Sequence, residues 1–224
     1  MKNLAPVITI DGPSGAGKSF LCKKISKALK WNSLESGFMY RLVSFIILNN
    51  KLAISKKDIH IIQKYLDFYL NSKDNILQDI FYKKVWKKQL MLQDVVNFSS
   101  KIASLPHIRK LLFHKQKLFR KFPGLVTNGR DMGSVVFPDA IVKIFLDADI
   151  RIRAKRRVLE LHNKGINANF DVILFDMKVR DQRDRKRFCS PLLVAKNAII
   201  INSTNISIEE VFNIAITAVY KKLN

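Results

Sequence analysis

The sequence predicts an α/β fold, a parallel β-sheet with helices on both faces. Three observations carry this expectation. Four short runs, residues 7–10, 125–127, 142–146 and 198–201, are predominantly apolar and not strictly alternating. Continuous runs of this kind suit parallel strands covered on both sides. Segments with apolar residues at helical spacing separate them, and strands alternating with helices build such a sheet. The first strand also runs through a glycine-rich turn directly into a helical pattern.

In chain order, residues 7–10 form the first strand, and residues 20–29 continue as a helix. A weaker strand ends near Ser33, Leu34 and Glu35, and residues 38–49 are helical. Residues 55–88 are polar and irregular, with a turn cluster at 71–75. Runs at 65–70, 76–81 and 82–86 predict a small mixed or antiparallel β insertion. A long helix is expected over 94–122, a strand over 125–127 and another over 142–146. Helices follow at 150–163 and 170–186, then the strand at 198–201. The last helix, 208–223, has Ser207 before it and Glu209 and Glu210 in its first turn, a good helix start.

At 224 residues the chain is expected to form a single domain, 1–224, with excursions. No apolar run approaches the roughly 20 residues that span a bilayer. The N-terminus leads straight into the first strand and leaves no room for a signal peptide. Cys22 and Cys189 have no metal or redox spacing and read as reduced, buried thiols of a cytoplasmic protein. The four histidines form no ligand cluster. The net charge of +22 has two readings. One is a polyanion-binding surface. The other is compositional bias, because the lysines are scattered as pairs and come with abundant Asn, Ile and Phe.

The turn after the first strand reads Gly12-Pro13-Ser14-Gly15-Ala16-Gly17-Lys18-Ser19, matching the phosphate-binding pattern G-x-x-x-x-G-K-[ST] at every fixed position. Glycines let the backbone curl so that consecutive N–H groups face phosphate oxygens, and the next helix turns its positive end to the same anion. Lys18 reaches the outer phosphates and the Ser19 hydroxyl holds Mg²⁺. The loop therefore predicts a nucleoside triphosphate ligand. Polar residues also gather where strands should end, the usual place for ligands in an open sheet. They include Ser36, Tyr40 and Arg41; Asn128, Gly129, Arg130 and Asp131; and Arg153, Arg156 and Arg157. On the helix over 170–186, Arg180, Asp184 and Arg187 share one face at i, i+4 and i+7. Asp181 and Arg185 share another, as a solvated ion pair of little worth. Arginine forks beside a phosphate loop suit phosphoryl transfer between two phosphorylated molecules.

Four motifs carry a family resemblance: Gly12 to Ser19; Ser36-Gly37 with Tyr40-Arg41; Gly129-Arg130-Asp131 with Gly133, Val135-Val136 and Phe137-Pro138; and Arg180-Asp181 with Asp184 and Arg187. Together they resemble bacterial cytidylate kinases, which are P-loop nucleoside monophosphate kinases, over residues 5–204. The resemblance implies transfer of the γ-phosphate of ATP to CMP or dCMP, with Mg²⁺. By the same resemblance Arg41, Arg130 and Arg187 hold the CMP phosphate. Ser100, Arg109 and Asp131 read cytosine, Arg180 and Asp184 bind the ribose, and Ser36 and Tyr40 line the monophosphate site. Residues 36–101 would be the CMP-binding insertion. Residues 150–187 would be the lid region, with Arg153, Arg156 and Arg157 closing on the triphosphate bound by residues 12–20. Lys18, Arg130, Arg157 and Arg187 would neutralise the transferred group. A monomer without a specific nucleic-acid or membrane partner is implied. The chain departs from the pattern at Phe20, where Thr or Ser is usual, and at Glu35, Phe38, Met91, Asn128, Asn197 and Asn202.

Two rivals remain at this level. One is another small-molecule kinase on the same loop. The other is a nucleic-acid-binding protein, which explains the charge but not the loop. A GTPase is disfavoured, because Asn163-Lys164-Gly165-Ile166 lacks the aspartate of a guanine-reading N-K-x-D motif.

Overall fold

A computed structural model describes residues 4–55, 58–71, 89–90 and 92–223. The chain divides into two compact units, residues 1–35 with 116–224, and residues 36–115.

The first unit is built on β1 (Val7–Asp11), β2 (Asn32–Glu35), β3 (Leu125–Gly129), β4 (Val142–Asp147) and β5 (Ile199–Asn202). All neighbours are parallel, in the order β2-β3-β1-β4-β5. All five expected strands are present, and every residue of β1 and β3 is buried. Asp11 stands opposite Gly129 and Phe145, so β1, β3 and β4 end at one edge. The loops that leave this edge carry the phosphate-loop motif, Arg130–Asp131 and the approach to residue 150.

Helix α1 (Lys18–Leu29) lays Leu21, Cys22 and Ile25 on Ile8, Ile10, Val126 and Ile144. The C-terminal helix (Ile208–Leu223) adds Val211, Ala215 and Val219 to the same core. Each fully buried Leu, Ile or Val among these contributes about 1.5–3 kcal/mol. The expected start of that last helix is a capping box: Glu210 N donates to Ser207 Oγ at 3.1 Å, and Ser207 N donates to Glu210 Oε2 at 2.7 Å. Two further helices, Ile150–His162 and Phe170–Lys186, pack on each other through Ala154, Leu161, Ile173, Leu174 and Met177. Both begin on side-chain caps, Asp149 and Asn169. Cys22 is buried as expected, whereas Cys189 is half-buried; both are free thiols.

The second unit contains α2 (Ser36–Asn49), α3 (Ile59–Asn71), α4 (Gln93–Ile102) and most of α5 (Pro106–Lys117). The two helices after β4 are accordingly α6 and α7, and the last is α8. Residues 65–70, expected as a strand, belong to α3. Ile62 and Leu66 are fully buried while Tyr65 and Phe68 are exposed, a four-residue period that overrides the strand preference of aromatics. The other expected insertion strands, 76–81 and 82–86, and Met91 lie outside the described residues. The single helix expected over 94–122 is two helices. Pro106 clashes with a helical residue before it, so the chain turns through residues 103–105 and restarts with Pro106 at the first helical position.

Candidate functional site

The phosphate loop is formed tightly against β4. Gly12 has φ +146°, and a Cβ there would meet the Leu146 carbonyl oxygen at 2.0 Å, so no side chain fits. Gly17 precedes α1, whose N-terminus has no side-chain cap and no acid in its first turn. The first N–H groups of that helix are thus left for an anion. Lys18 is buried, and its Nζ donates to the Pro13 carbonyl. Burial, with Arg130 and Arg180 nearby, holds its pKa well below the usual lysine value despite Asp11 and Asp184. A bound polyphosphate would reverse that balance.

Asp11, the last residue of β1, accepts from Met132 N at 2.9 Å and Gly133 N at 2.7 Å, one bond to each carboxylate oxygen. The carboxylate thereby pins the turn that follows Asp131. Burial pushes its pKa up to about 6, against the two N–H bonds that favour the charge. Asn128, at the end of β3, donates from Nδ2 to Ser19 Oγ at 3.4 Å, and its Oδ1 is buried with no hydrogen-bond partner. The Ser19 hydroxyl and this orphaned carboxamide oxygen are hard oxygen donors that fit a magnesium ion arriving on phosphate oxygens. No group of three or more His, Cys, Asp or Glu suited to a metal occurs among the described residues. A divalent ion here would depend on the nucleotide for most of its ligands.

Beside the loop lies a cluster of three guanidinium groups and two carboxylates. Arg130 Nε donates to Asp184 Oδ2 at 2.7 Å. Arg180 Nε lies 4.0 Å from the same oxygen, and Arg187 Nη1 lies 3.7 Å from Asp184 Oδ1. Arg187 Nη2 stands 3.9 Å from Asp131 Oδ1, while its Nε donates to the Ser190 carbonyl at 2.6 Å. Burial alone would raise the Asp184 pKa, but Arg130, Arg180 and Arg187 outweigh it and hold the carboxyl below its usual value. The cluster keeps a surplus of positive charge, which suits an anionic ligand.

Residues 8–221 fit the model of the family described as cytidylate kinase. The chain belongs to the cytidylate kinase family. A cytidylate kinase of Buchnera aphidicola subsp. Baizongia pistaciae is 47% identical over 98% of this chain and 96% of its own length. Those of Erwinia tasmaniensis and Salmonella arizonae are 44% and 43% identical over 100% of this chain and 99% of theirs.

All three α6 arginines expected on the triphosphate have partners within the protein, two of them buried or half-buried on main-chain oxygens. Arg153 is buried and spends its fork on the protein: Nε on Ala148 O at 2.8 Å, Nη1 on Ser14 O at 3.0 Å and Nη2 on Asp181 Oδ2 at 2.7 Å. Arg156 donates to Ser203 Oγ at 3.0 Å and to Ser203 O at 2.6 Å. Arg157 pairs with Glu160 at 2.8 Å near the surface. The expected Asp181–Arg185 surface pair does not form. Asp181 is buried on Arg153, and Arg185 Nη2 lies 3.8 Å from Asp147 instead. A buried arginine offers a carboxylate more than a solvated one does, because water no longer competes.

Phe20 is 46% exposed, directly after Ser19. Its ring lies 5.2 Å from Lys24 Nζ, which also stands 5.2 Å over Phe212 and bonds Glu209 at 2.9 Å. Phe20 therefore packs along the outside of α1 and supplies no hydroxyl to the loop. Glu35 pairs with Lys23 at 3.1 Å.

In the second unit, Ser36 and Tyr40 are buried on α2, Arg41 follows them, and Ser100 is buried on α4. Arg109 of α5 donates from Nη1 to Ala103 O at 2.9 Å, with its guanidinium 5.7 Å from the Tyr40 ring. The unit thus gathers Tyr40 and Arg109 from two helices. The sequence reading assigned no role to Asp11 or Ser203, and it paired Asp181 with Arg185 where Arg153 is the partner. Only Asp11 carried a signal, a lone acid ending an apolar strand.

Proposed function

We propose that this chain transfers the γ-phosphate of ATP to CMP or dCMP, giving ADP and CDP or dCDP. The observation that carries the reading is the arrangement at one sheet edge of the Gly12–Ser19 loop and the Arg130, Arg180, Arg187 and Asp184 cluster. One phosphate-binding element would suit a nucleotide-binding protein; a second cationic site beside it suits a phosphorylated acceptor.

The loop and α1 would hold the triphosphate, with Lys18 on its outer oxygens. Ser19 and Asn128 would hold Mg²⁺, which supplies charge neutralisation on the phosphates when bound. Arg41, Arg130 and Arg187 would hold the acceptor phosphate, Arg180 and Asp184 its ribose, and Ser100, Arg109 and Asp131 its cytosine. Ser36 and Tyr40 would line that site. The acceptor oxygen is already anionic at neutral pH, so these residues need only align it and offset repulsion. Residues 36–101 are read as the acceptor-binding insertion and 150–187 as the lid region, with Arg157 as the lid arginine that would meet the transferred group. The reading takes the protein as a cytoplasmic monomer. No helix among the described residues is long and apolar enough to cross a membrane.

The test offers purified protein ATP and Mg²⁺ with CMP, dCMP, UMP, AMP or GMP, and follows ADP release. CMP and dCMP should react best; no turnover with any of the five would sink the reading.

A further inference from the structure

We propose that Arg153 and Arg156 are positioning residues that orient the phosphate loop from behind, one peptide each, and do not themselves touch the triphosphate. In a trans peptide the C=O and the next N–H point in opposite directions from one plane. Fixing a carbonyl on one side of the loop therefore aims the following N–H to the other. Arg153 Nη1 fixes the Ser14 carbonyl at 3.0 Å, which turns the Gly15 N–H away from the guanidinium. Ser203 Oγ, held by Arg156 Nη1 at 3.0 Å, lies between the Asp147 carbonyl at 3.2 Å and the Ala16 carbonyl at 3.4 Å, and the share of its one proton that goes to Ala16 turns the Gly17 N–H the same way. Alternate peptides of the curl are thus braced at their oxygens, leaving their hydrogens for an anion.

The remaining contacts make the braces stiff. Arg153 is only 4% exposed, and Ala148 O and Asp181 Oδ2 fix the other arms of its fork. Gly15 has φ +76°, and a Cβ there would stand 3.0 Å from both the Arg153 carbonyl oxygen and Met177 Cε, so the loop sits directly against α6 and α7. Arg156 donates twice to Ser203, to the hydroxyl and to the carbonyl. A cation on a peptide oxygen also polarises that peptide and makes its N–H a better donor to phosphate. Lysine cannot replace Arg153, because one ammonium cannot span its three fixed acceptors.

The inference rests on the reading that the loop takes phosphate, and amide NMR separates the two. Full-length ¹⁵N-labelled protein is titrated with inorganic pyrophosphate, following the Gly15 and Gly17 amide protons. Both should move downfield in the wild type. R153M should abolish the Gly15 response, keep that of Gly17 and weaken pyrophosphate binding about tenfold, the loss expected for one charge-assisted hydrogen bond. S203A should do the reverse, reducing the Gly17 response and sparing Gly15. In turnover, R153M should raise the KM for ATP and leave that for CMP unchanged. R153K, which keeps the charge but not the fork, should resemble R153M, and it serves in place of R153M if that variant does not fold. An unchanged Gly15 response in the Arg153 variant, or equal loss at both glycines in both variants, overturns the inference. Silence of both glycines in the wild type overturns the phosphate reading and the inference with it.

Discussion

Arg153 and Arg156 differ from Arg130, Arg180 and Arg187 in what they face, although all five stand in one unit beside one loop. The α6 pair donates to main-chain and hydroxyl oxygens at 2.6–3.0 Å, apart from the Arg153–Asp181 bridge. The other three surround Asp184 and Asp131 at 2.7–4.0 Å, with only single carbonyl bonds beside, Arg187 Nε to Ser190 O at 2.6 Å and Arg130 Nη1 to Gly129 O at 3.3 Å. A carbonyl is fixed by the backbone and carries no formal charge, so an arginine bound to it becomes a strut. Three cations sharing two carboxylates keep a surplus charge and side chains whose partners can be exchanged for phosphate oxygens. On the proposed reading, the same residue type serves rigidity in one place and ligand charge in the other.

The largest effect is expected from breaking the second group at its centre. Asp184→Ala removes the carboxylate that Arg130, Arg180 and Arg187 share. It should lower kcat/KM for CMP about 10- to 100-fold, the loss of a hydrogen bond to charge, with ATP binding nearly unaffected. Equal losses for both substrates, in initial-rate kinetics with each varied, would erase the distinction between the groups.

Asp11→Asn tests the pin that ties the Arg130–Asp131 segment to the strand bearing the loop. An amide has one acceptor for two N–H groups and turns its own N–H₂ on the other, a loss of about 1–3 kcal/mol. Urea unfolding measures it. The pH dependence has a definite sign. The folded pKa of about 6 lies above the ordinary 3.8, so the native state binds the extra proton between them. The Asp11 contribution is full below the ordinary value and is lost as pH rises through about 6. The stability gap between wild type and variant should therefore narrow from pH 4 to pH 7. A gap that widens over this range would mean that the carboxylate is held mainly by its N–H bonds.

The smallest effect concerns the outside of the loop. Phe20→Thr restores a hydroxyl and gives up the contact with Lys24, worth about 0.5–1 kcal/mol at an exposed site. It should lower the KM for ATP about threefold, in line with one neutral hydrogen bond, and shift the melting temperature little. A rise in the KM for ATP would show that the ring itself takes part in nucleotide binding.

The central strands β1 and β3 were legible because burial on both faces forces near-continuous apolar runs; the edge strands β2 and β5, half-exposed, could be read as well, β2 only weakly. Helix starts were legible where capping is local, as at Ser207 and Glu210. Local pattern misled where two signals competed. Aromatic richness around Tyr65 and Phe68 suggested a strand, but Ile62 and Leu66 set a helical period. Helical spacing across 94–122 hid the break that Pro106 imposes. At the site, the loop and the Arg180, Asp184 and Arg187 face were legible, because each lies within a few residues. The partners of Arg153, Arg156 and Asp181 were not, since Ser14, Ser203 and Arg153 lie far from them in the chain.

By itself, then, the sequence determined the parallel sheet, the curl of Gly12 to Ser19 and the presence of an arginine-rich second site. Those properties follow from neighbours along the chain: β-branched runs, glycine conformations and helical spacing. The tertiary structure decided which arginines meet carboxylates and which meet main-chain and hydroxyl oxygens. That choice depends on whether folding brings a carbonyl or a carboxylate to each guanidinium and how far it removes water, and neither is written locally. The phosphate loop is encoded in eight consecutive residues, but the orientation of its peptides is set by α6 and the turn after β5.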